Sequence, residues 1–130
     1  MEMAITFPGG KRVDATFRDF TVNTDQPTMA GGANSAPSPF EYFLSSIGTC
    51  VGIYVLSFCA QRNIPTDDIV IRQNSIVDKN TRMFDRIEFD IDLPEDFPEQ
   101  YRDAVIRSAE QCAVKKHLAD PPDVVIRTNK

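Results

Sequence analysis

Three cysteines carry most of the reactive chemistry in this 130-residue chain. Cys50 and Cys59 lie in one apolar stretch, SPFEYFLSSIGTCVGIYVLSFCAQRNIP, and Cys112 lies further along in EQCAVKKHL. A thiolate is both a nucleophile and a reductant, and two thiols that meet can form a disulfide. The sequence therefore raises the question of which thiols react and which only fill a core.

The spacing of the first two cysteines excludes a disulfide between them. If residues 38 to 65 form one helix, a separation of nine residues places Cys50 and Cys59 on opposite sides, roughly 13 Å apart along the axis. A disulfide requires Cα atoms within about 7 Å of each other. An intrachain pair must therefore use Cys112, with either Cys50 or Cys59.

The surroundings of the two helical cysteines differ. A cysteine in an apolar helix is most often a buried, inert side chain, and this is our interpretation of Cys59. Cys50 follows SSIGT, whose small and polar residues let a substrate or another helix come close. The residues alone leave Cys50 open to either interpretation, packing or chemistry.

Composition and motifs exclude several other kinds of site. The net charge of −5 and the sequence pI of about 4.8 argue against a nucleic-acid partner, which would require a basic face. His117 is the only histidine and no CxxC motif occurs, so we expect no metal site. AGGAN lacks the Gly-Lys-Ser/Thr of a phosphate loop, and we expect no cofactor.

The same features bear on location. An odd number of cysteines does not form a closed disulfide framework, which favours a reducing, cytoplasmic setting. The run from Tyr42 to Ala60 contains four Ser or Thr residues, and we interpret it as a buried helix rather than a membrane span.

The elements around the cysteines follow from patterning. Turn residues separate short alternating segments over residues 3 to 23, which predicts a three-stranded meander, and TDQPTMAGGANSAPS then reads as a loop. Ser38 as N-cap, Pro39 as first helical residue and Glu41 as capping-box partner mark the start of the long helix. That helix is apolar on nearly all sides, so we expect a partner subunit to help bury it.

The second half predicts a hairpin, a helix and a last strand. DDIVIRQNSIVD and MFDRIEFDIDL flank the turn DKNTR, and a helix follows from about Asp96, capped with Glu99, to Leu118. DVVIRT is predicted as the final strand. The order β-β-β-α-β-β-α-β makes the chain an α+β protein of one domain, residues 1–130.

Two motifs carry a resemblance to a known family. PSPFEYFLSSIGTC, followed by EQCAVKKHL, resembles the OsmC/Ohr family of thiol-dependent hydroperoxide reductases, over most of the chain from about Lys11 to Thr128. The family pairs a reactive cysteine in a long Pro-started helix with a second cysteine about sixty residues later; here 62 residues separate Cys50 from Cys112. The resemblance implies the OsmC-like fold, an intertwined homodimer with long central helices.

The resemblance also implies roles. Cys50 would attack an organic hydroperoxide, Cys112 would resolve the product as a disulfide, and an external dithiol would regenerate the pair. An Arg from the early strands would lower the Cys50 pKa; Arg12 is the candidate and Arg18 the reserve. Glu41 is a further candidate, which would have to act across the dimer.

Two positions depart from the family pattern. Phe40 stands where the family's peroxidases carry Glu directly after the helix-starting Pro, and Ala113 stands where a Pro follows the second cysteine. Both departures favour a divergent branch. Two other functions are therefore kept beside hydroperoxide reduction: a non-enzymatic module that binds an apolar small molecule, and a thiol switch that responds to oxidants without turnover.

Overall fold

A computed structural model describes residues 1–129 as an α+β chain. Two compact units form, residues 1–45 and a second unit that begins at Ser46. The elements are β1 (Ala4–Gly9), β2 (Arg12–Phe17), β3 (Phe20–Thr24), α1 (Pro39–Ala60), β4 (Val70–Val77), β5 (Phe84–Asp92), α2 (Arg102–Ala109) and α3 (Ala113–Ala119). Short 3-10 turns occupy Thr28–Ala30 and Glu99–Tyr101.

The first unit contains the predicted meander. Strands β1, β2 and β3 pair antiparallel in that order, with Ile5 opposite Ala15 and Ala15 opposite Val22. Gly10, in the turn between β1 and β2, has a φ of 59°, a left-handed conformation that glycine adopts without steric cost. The prediction of three short strands over residues 3 to 23 is confirmed.

A buried carboxylate organises the loop that follows β3. Asp25 is only 1% exposed, and its two oxygens accept hydrogen bonds from Gln26 N at 2.8 Å, Ser35 N at 3.0 Å and Ser35 Oγ at 2.6 Å. The Ser35 hydroxyl and amide, together with the Gln26 amide, lower the pKa of Asp25 from 3.8 to about 2. This one side chain therefore holds both ends of the loop.

Replacing Asp25 by Asn is expected to lower stability in a pH-dependent way. Because the folded pKa lies below the unfolded value, the ionised carboxylate stabilises the fold above pH 3.8, and this contribution is lost as the pH falls towards about 2. Thermal unfolding should show the largest gap between wild type and Asp25→Asn near neutral pH, shrinking below pH 4. The exposed Asp123→Asn is the matched control, and a gap of constant size would contradict a role for ionisation.

The start and end of α1 are formed as the sequence predicts. Ser38 N donates to Glu41 Oε2 at 2.7 Å and Glu41 N donates to Ser38 Oγ at 3.3 Å, which is a reciprocal capping box. At the other end Asn63 has a φ of 54°, Ile64 N bonds Cys59 O at 2.9 Å and Asn63 N bonds Ala60 O at 3.3 Å. These contacts form a Schellman motif, which ends the helix.

The second unit packs α1 against the β4–β5 hairpin, α2 and α3. The hairpin is the predicted one, with Ile71 opposite Ile91 and Gln73 opposite Phe89. Its apolar face joins a core built on the buried side of α1, and the buried members of that core are Val51, Val55, Phe58, Cys59, Phe97, Val105, Ala109 and Cys112.

The opposite side of α1 is open in the single chain. Ile53 is 50% exposed and Leu56 is 47% exposed, so the helix is not buried on all sides by its own chain. By length and composition alone, α1 could also cross a membrane. In this structure one side of α1 is buried in the protein core, as in the core helix of a globular protein. The partner subunit expected to cover the open side stays a prediction.

The predicted second helix is divided into three pieces. It does not begin with a capping box of Asp96 and Glu99, because Pro98 precedes the 3-10 turn and no side chain caps it. The helical path breaks again between Ala109 and Ala113, where Cys112 has φ −45° and ψ 123°. An extended ψ at Cys112 cannot continue α2, so α3 starts anew.

The final strand predicted at residues 123–128 is not formed within this chain. The described residues after Ala119 have no regular secondary structure, and Val124, Val125 and Ile126 are exposed. A strand requires a neighbour for its backbone groups, and none of β1 to β5 pairs with this segment.

Candidate functional site

Cys50 occupies the middle of α1 on the side that faces α2 and α3. It is partly buried and packs against the core together with Tyr54, which lies one turn further along. The Ser108 hydroxyl donates a hydrogen bond to Tyr54 O at 3.3 Å, which ties α2 to this part of α1. The helix therefore presents the Cys50 sulfur to the segment that carries Cys112.

Cys112 is the N-cap residue of α3. Its thiol sulfur accepts a hydrogen bond from Lys115 N at 3.5 Å, and its carbonyl accepts the first intrahelical bond, from Lys116 N at 3.0 Å. Its side chain is fully buried. The break between α2 and α3 thus turns Cys112 out of a continuous helix and into a capping position.

The structure brings Cys50 and Cys112 together. Cys50 packs against the core that contains Cys112, and the backbone amide of Val114, the Cys112 thiol and the backbone amide of Ala113 all act on its pKa. The Val114 amide, followed by the Cys112 thiol and the Ala113 amide, lowers the pKa of Cys50, and partial burial opposes this only in part. Cys50 is thereby favoured as the thiolate of the pair.

Cys112 has the opposite tendency. Burial raises the pKa of the Cys112 thiol, and its hydrogen bond to Cys50 raises it further, while the Lys115 amide works in the other direction. The pKa values of the two thiols are therefore shifted in opposite directions. The shifts favour the thiolate at Cys50 and the protonated thiol at Cys112.

Cys59 takes no part in this arrangement. It is fully buried in the core of the second unit, and burial raises the pKa of its thiol. Cys59 therefore packs in the core as expected, and its lack of reactivity stays a prediction.

The early arginines lie in the first unit, where each has a local partner. The Arg12 guanidinium is 3.8 Å from the Asp14 carboxylate, and the Arg18 guanidinium stacks over the Phe17 ring at 5.6 Å and the Phe20 ring at 4.9 Å. Neither arginine is among the groups that shift the pKa of Cys50. A position beside Cys50 for Arg12, or for Arg18, stays a prediction.

Glu41 is engaged at the start of α1. The Ser38 amide donates to its carboxylate and the Glu41 amide donates to Ser38 Oγ, and the Ser38 amide, followed by the Ser38 hydroxyl, lowers the pKa of Glu41. The capping box is therefore a sufficient structural reason for this side chain, as the sequence indicates. Any role of Glu41 in chemistry stays a prediction.

The sequence does not reveal the donors that act on Cys50. We expected a guanidinium from an early strand, whereas the groups that lower the pKa of Cys50 are backbone amides and a thiol. Backbone donors carry no side-chain signature. A signal would have been a predicted break before Cys112, but cysteine is not a preferred N-cap residue and the apolar periodicity runs through it.

A second feature of this unit is an apolar cavity of about 450 Å³. Neither Cys50 nor Cys112 lines it, although Ile47 and Val51 come from the same turns of α1. Charged side chains at its edge come from the hairpin and from α3, among them Arg86 and Lys115. The complete lining is Ile47, Val51, Phe84, Asp85, Arg86, Ile87, Phe89, Ile91, Ile106, Ala109, Glu110, Lys115 and Leu118.

Metal binding has no candidate among residues 1–129. No group of three or more His, Cys, Asp or Glu side chains in this part of the chain is arranged to hold a metal ion.

Comparison with known proteins gives one family and a set of similar folds. A family model described as OsmC-like protein matches residues 32–127. No curated protein sequence matches. A Psychrobacter arcticus protein, named for osmotic stress induction and a detoxification response, has a similar structure with a TM-score of 0.73 and 17% identity, over 88% of this chain and 85% of that one.

Two further structures show the same fold. The organic hydroperoxide resistance protein OhrB of Bacillus subtilis gives a TM-score of 0.54 at 19% identity, covering 95% of this chain and 94% of that one. An organic hydroperoxide resistance protein OsmC from Legionella pneumophila gives 0.55 at 14% identity, covering 91% and 89%. Identities this low establish the likeness of fold, and the family match extends across both cysteines of the pair.

Proposed function

The chain belongs to the OsmC-like protein family, and on that premise we propose that it reduces organic hydroperoxides through Cys50, with Cys112 as the resolving thiol and an external dithiol as reductant. The observation that carries the proposal is the packing of Cys50 against the core that contains Cys112, and the opposite shifts of their pKa values, lowered for Cys50 and raised for Cys112, support it. The names of the similar proteins from Bacillus subtilis and Legionella pneumophila support the substrate class.

The reaction follows from the two protonation states. The Cys50 thiolate attacks the distal peroxide oxygen, the O–O bond breaks, and the alkoxide leaves and takes up a proton as the alcohol. Cys50 is then a sulfenic acid. The Cys112 thiol, after losing its proton, attacks that sulfur, which expels water and forms the Cys50–Cys112 disulfide. A dithiol donor supplies two electrons and two protons, which restores both thiols and oxidises the donor to a disulfide.

The geometry suits the second step in particular. Cys50 packs against the core that contains Cys112, and each thiol shifts the pKa of the other, which supports closure of a disulfide between them. Because Cys112 is buried and protonated while Cys50 is partly exposed, an incoming peroxide meets Cys50 first. The order of the two roles, Cys50 attacking and Cys112 resolving, follows from that difference.

The remaining parts of the site are assigned by the same proposal. Arg12, with Arg18 as the reserve, supplies a cation near Cys50, Glu41 acts across the dimer, and the homodimer covers the open side of α1. The protein works in the reducing cytoplasm, where dithiol donors are maintained.

Glu41→Gln separates the capping role from a catalytic one. Gln can still accept the Ser38 amide hydrogen bond, so thermal stability should remain close to that of the wild type, whereas Glu41→Ala should lose about 1 kcal/mol. If Glu41 acts in the site, Glu41→Gln should lower hydroperoxide turnover by roughly tenfold through loss of its charge. Unchanged turnover in Glu41→Gln would leave Glu41 as a capping residue alone.

Steady-state kinetics tests the proposed function. Purified protein is mixed with cumene hydroperoxide and either dihydrolipoamide or dithiothreitol, and loss of peroxide is followed over many equivalents. The proposal predicts continuous turnover that depends on the dithiol. A single equivalent consumed without turnover would instead indicate a thiol switch, and the absence of consumption would contradict both.

The apolar cavity supports a second candidate function, the binding of an apolar small molecule. Its volume of about 450 Å³ and its mainly aliphatic and aromatic lining fit such a ligand, and neither reactive cysteine lines it. Fluorescence of an apolar naphthalene dye tests this function. Binding that persists in Cys50→Ser and is lost in Ile87→Arg would support it, and binding unaffected by Ile87→Arg would exclude this cavity as the site.

A further inference from the structure

A second cavity of the same unit, with a volume of about 580 Å³, is lined by residues of α1, of the turn after it and of α2. This Arg62 cavity combines one cation with four neutral polar side chains and two apolar ones, namely Arg62, Tyr54, Ser57, Gln61, Ser108, Ile53 and Phe58. No carboxylate among residues 1–129 lines it, although acidic residues outnumber basic ones by 19 to 14 in the chain. The apolar cavity, by contrast, includes Asp85 and Glu110.

The Arg62 guanidinium is held in place beside the end of α1. Its Nη1 atom donates a hydrogen bond to Phe58 O at 3.0 Å. The guanidinium also lies 3.7 Å from the centroid of the Phe58 ring and 5.2 Å from that of Tyr101. A planar cation fixed by these contacts loses little conformational freedom when it binds a further acceptor.

Arg62 forms no ion pair among residues 1–129. Four other arginines each pair with an Asp or Glu side chain, namely Arg12, Arg72, Arg86 and Arg102. Asp68 and Asp96 line a neighbouring cavity that Arg62 also borders, but neither is paired with it. A guanidinium has five N–H donors, and an anion that enters the Arg62 cavity meets a cation that no carboxylate of the described chain neutralises.

We propose that the Arg62 cavity binds a small organic carboxylate with an aryl body. A carboxylate accepts two parallel hydrogen bonds from a guanidinium, and the Ser57 hydroxyl and the Gln61 amide are further donors in the lining. Ile53, which is 50% exposed, and the Tyr54 ring provide surface for the apolar body. The inference goes beyond hydroperoxide reduction and does not rest on it, since neither Cys50 nor Cys112 lines this cavity.

The spacing along α1 sets the length of the ligand. Because the guanidinium binds Phe58 O, it lies near the level of residue 58, one helical turn beyond Tyr54. One turn corresponds to roughly 6 Å along the axis. A carboxylate two or three bonds from a single aromatic ring spans that distance, and the cavity volume is in the range typical of small-molecule sites.

Titration of the ¹⁵N-labelled protein with 3-phenylpropionate, followed by amide NMR shifts at pH 7, tests the inference. The matched ligand controls are 3-phenylpropanol and 3-phenylpropylamine, which keep the same body without the negative charge. We expect the carboxylate to bind with a Kd on the order of 1 mM, with shifts centred on Ser57, Gln61 and Ser108, and both controls to bind at least about tenfold more weakly. Equal binding of the acid and the alcohol, or no binding of the acid, would overturn the inference.

Arg62→Gln removes the cation, and Arg107→Gln is the matched control because Arg107 is exposed on α2 and does not line the cavity. We expect Arg62→Gln to weaken 3-phenylpropionate binding at least about tenfold, and Arg107→Gln to change it by less than about twofold. Unchanged affinity in Arg62→Gln would contradict the proposal. An equal loss in both variants would also contradict it, since net charge alone would then explain the binding.

A second pair of variants keeps the Arg62 contacts in place, should Arg62→Gln fold poorly. Ser57 is exposed on α1, and Ser57→Asp places a fixed carboxylate in the cavity, where it competes with the ligand. Ser57→Asn has the same size without the charge. We expect at least about fivefold weaker binding in Ser57→Asp than in Ser57→Asn, and equal affinity in the two variants would overturn the inference. The titration uses no peroxide, so its outcome is independent of the proposed function.

Discussion

Replacing Cys50 by serine is expected to reduce hydroperoxide turnover by at least about 10³-fold. A serine hydroxyl does not ionise near neutral pH and cannot form the sulfenic acid, so the first step of the cycle is lost. The fold should be retained, because serine is similar in size and the position is only partly buried. Peroxide consumption at pH 7 with a dithiol donor, measured together with the circular dichroism spectrum, checks both expectations.

Substitutions of the other two cysteines serve as controls for Cys50→Ser. Cys112→Ser should leave the first step intact, so that one equivalent of hydroperoxide yields a Cys50 sulfenic acid that dimedone traps. Cys59→Ala should retain turnover, since Cys59 is buried away from the pair and its thiol stays protonated. Turnover that survives in Cys50→Ser but disappears in Cys59→Ala would show that Cys59, and not Cys50, is the reacting thiol.

Replacing Phe58 by alanine is expected to have the largest effect on stability, a loss of about 3–5 kcal/mol of unfolding free energy. Phe58 is 7% exposed, and its ring packs edge-on against Tyr101 with centroids 5.8 Å apart. The Arg62 guanidinium lies 3.7 Å from the ring centroid, which adds a cation–π contact. Removing the ring therefore opens a cavity and leaves Arg62 without that contact.

Urea denaturation followed by far-ultraviolet circular dichroism measures this loss. Met83→Ala is the matched control, since Met83 is 70% exposed beside the hairpin turn and its truncation should change the free energy by less than about 0.5 kcal/mol. A change below about 1 kcal/mol in Phe58→Ala would contradict the assignment of this ring to the core.

Elements with strong local signals could be predicted from the sequence. Ser38, Pro39 and Glu41 predict a capped helix start because capping residues act on amides two or three positions away. The alternation of apolar and polar residues in MFDRIEFDIDL predicts a half-buried strand, because successive side chains of a strand point to opposite faces. In these two segments prediction and structure agree, whereas the predicted capping box of Asp96 and Glu99 is not formed.

Elements that depend on distant contacts could not be predicted. The sequence pattern predicts one helix from about Asp96 to Leu118, yet the helical path breaks before Cys112, which becomes the N-cap residue of α3. The predicted final strand fails for a related reason, since its pattern is suitable but no strand of this chain pairs with it. Strand pairing and the positions of helix breaks depend on residues distant in sequence, so the local periodicity of apolar residues does not predict them.

The resemblance to the family added information on Cys50 and Cys112 that the residue spacing alone did not give. The motifs around Cys50 and Cys112 predict the two residues that the structure brings together, which the residue spacing alone had left open. The departure at Ala113 was expected to weaken the case for peroxide reduction. The structure places Ala113 as the first residue of α3, directly after the capping Cys112.

The measurement that tests the central claim most directly is a thiol count with disulfide mapping. Reduced protein receives one equivalent of cumene hydroperoxide, free thiols are titrated, and peptides are mapped by mass without reduction. We predict the loss of two thiols, a Cys50–Cys112 bridge and one free Cys59, with no bridge in Cys50→Ser. Three surviving thiols would contradict the account and leave the apolar cavity as the better guide to function.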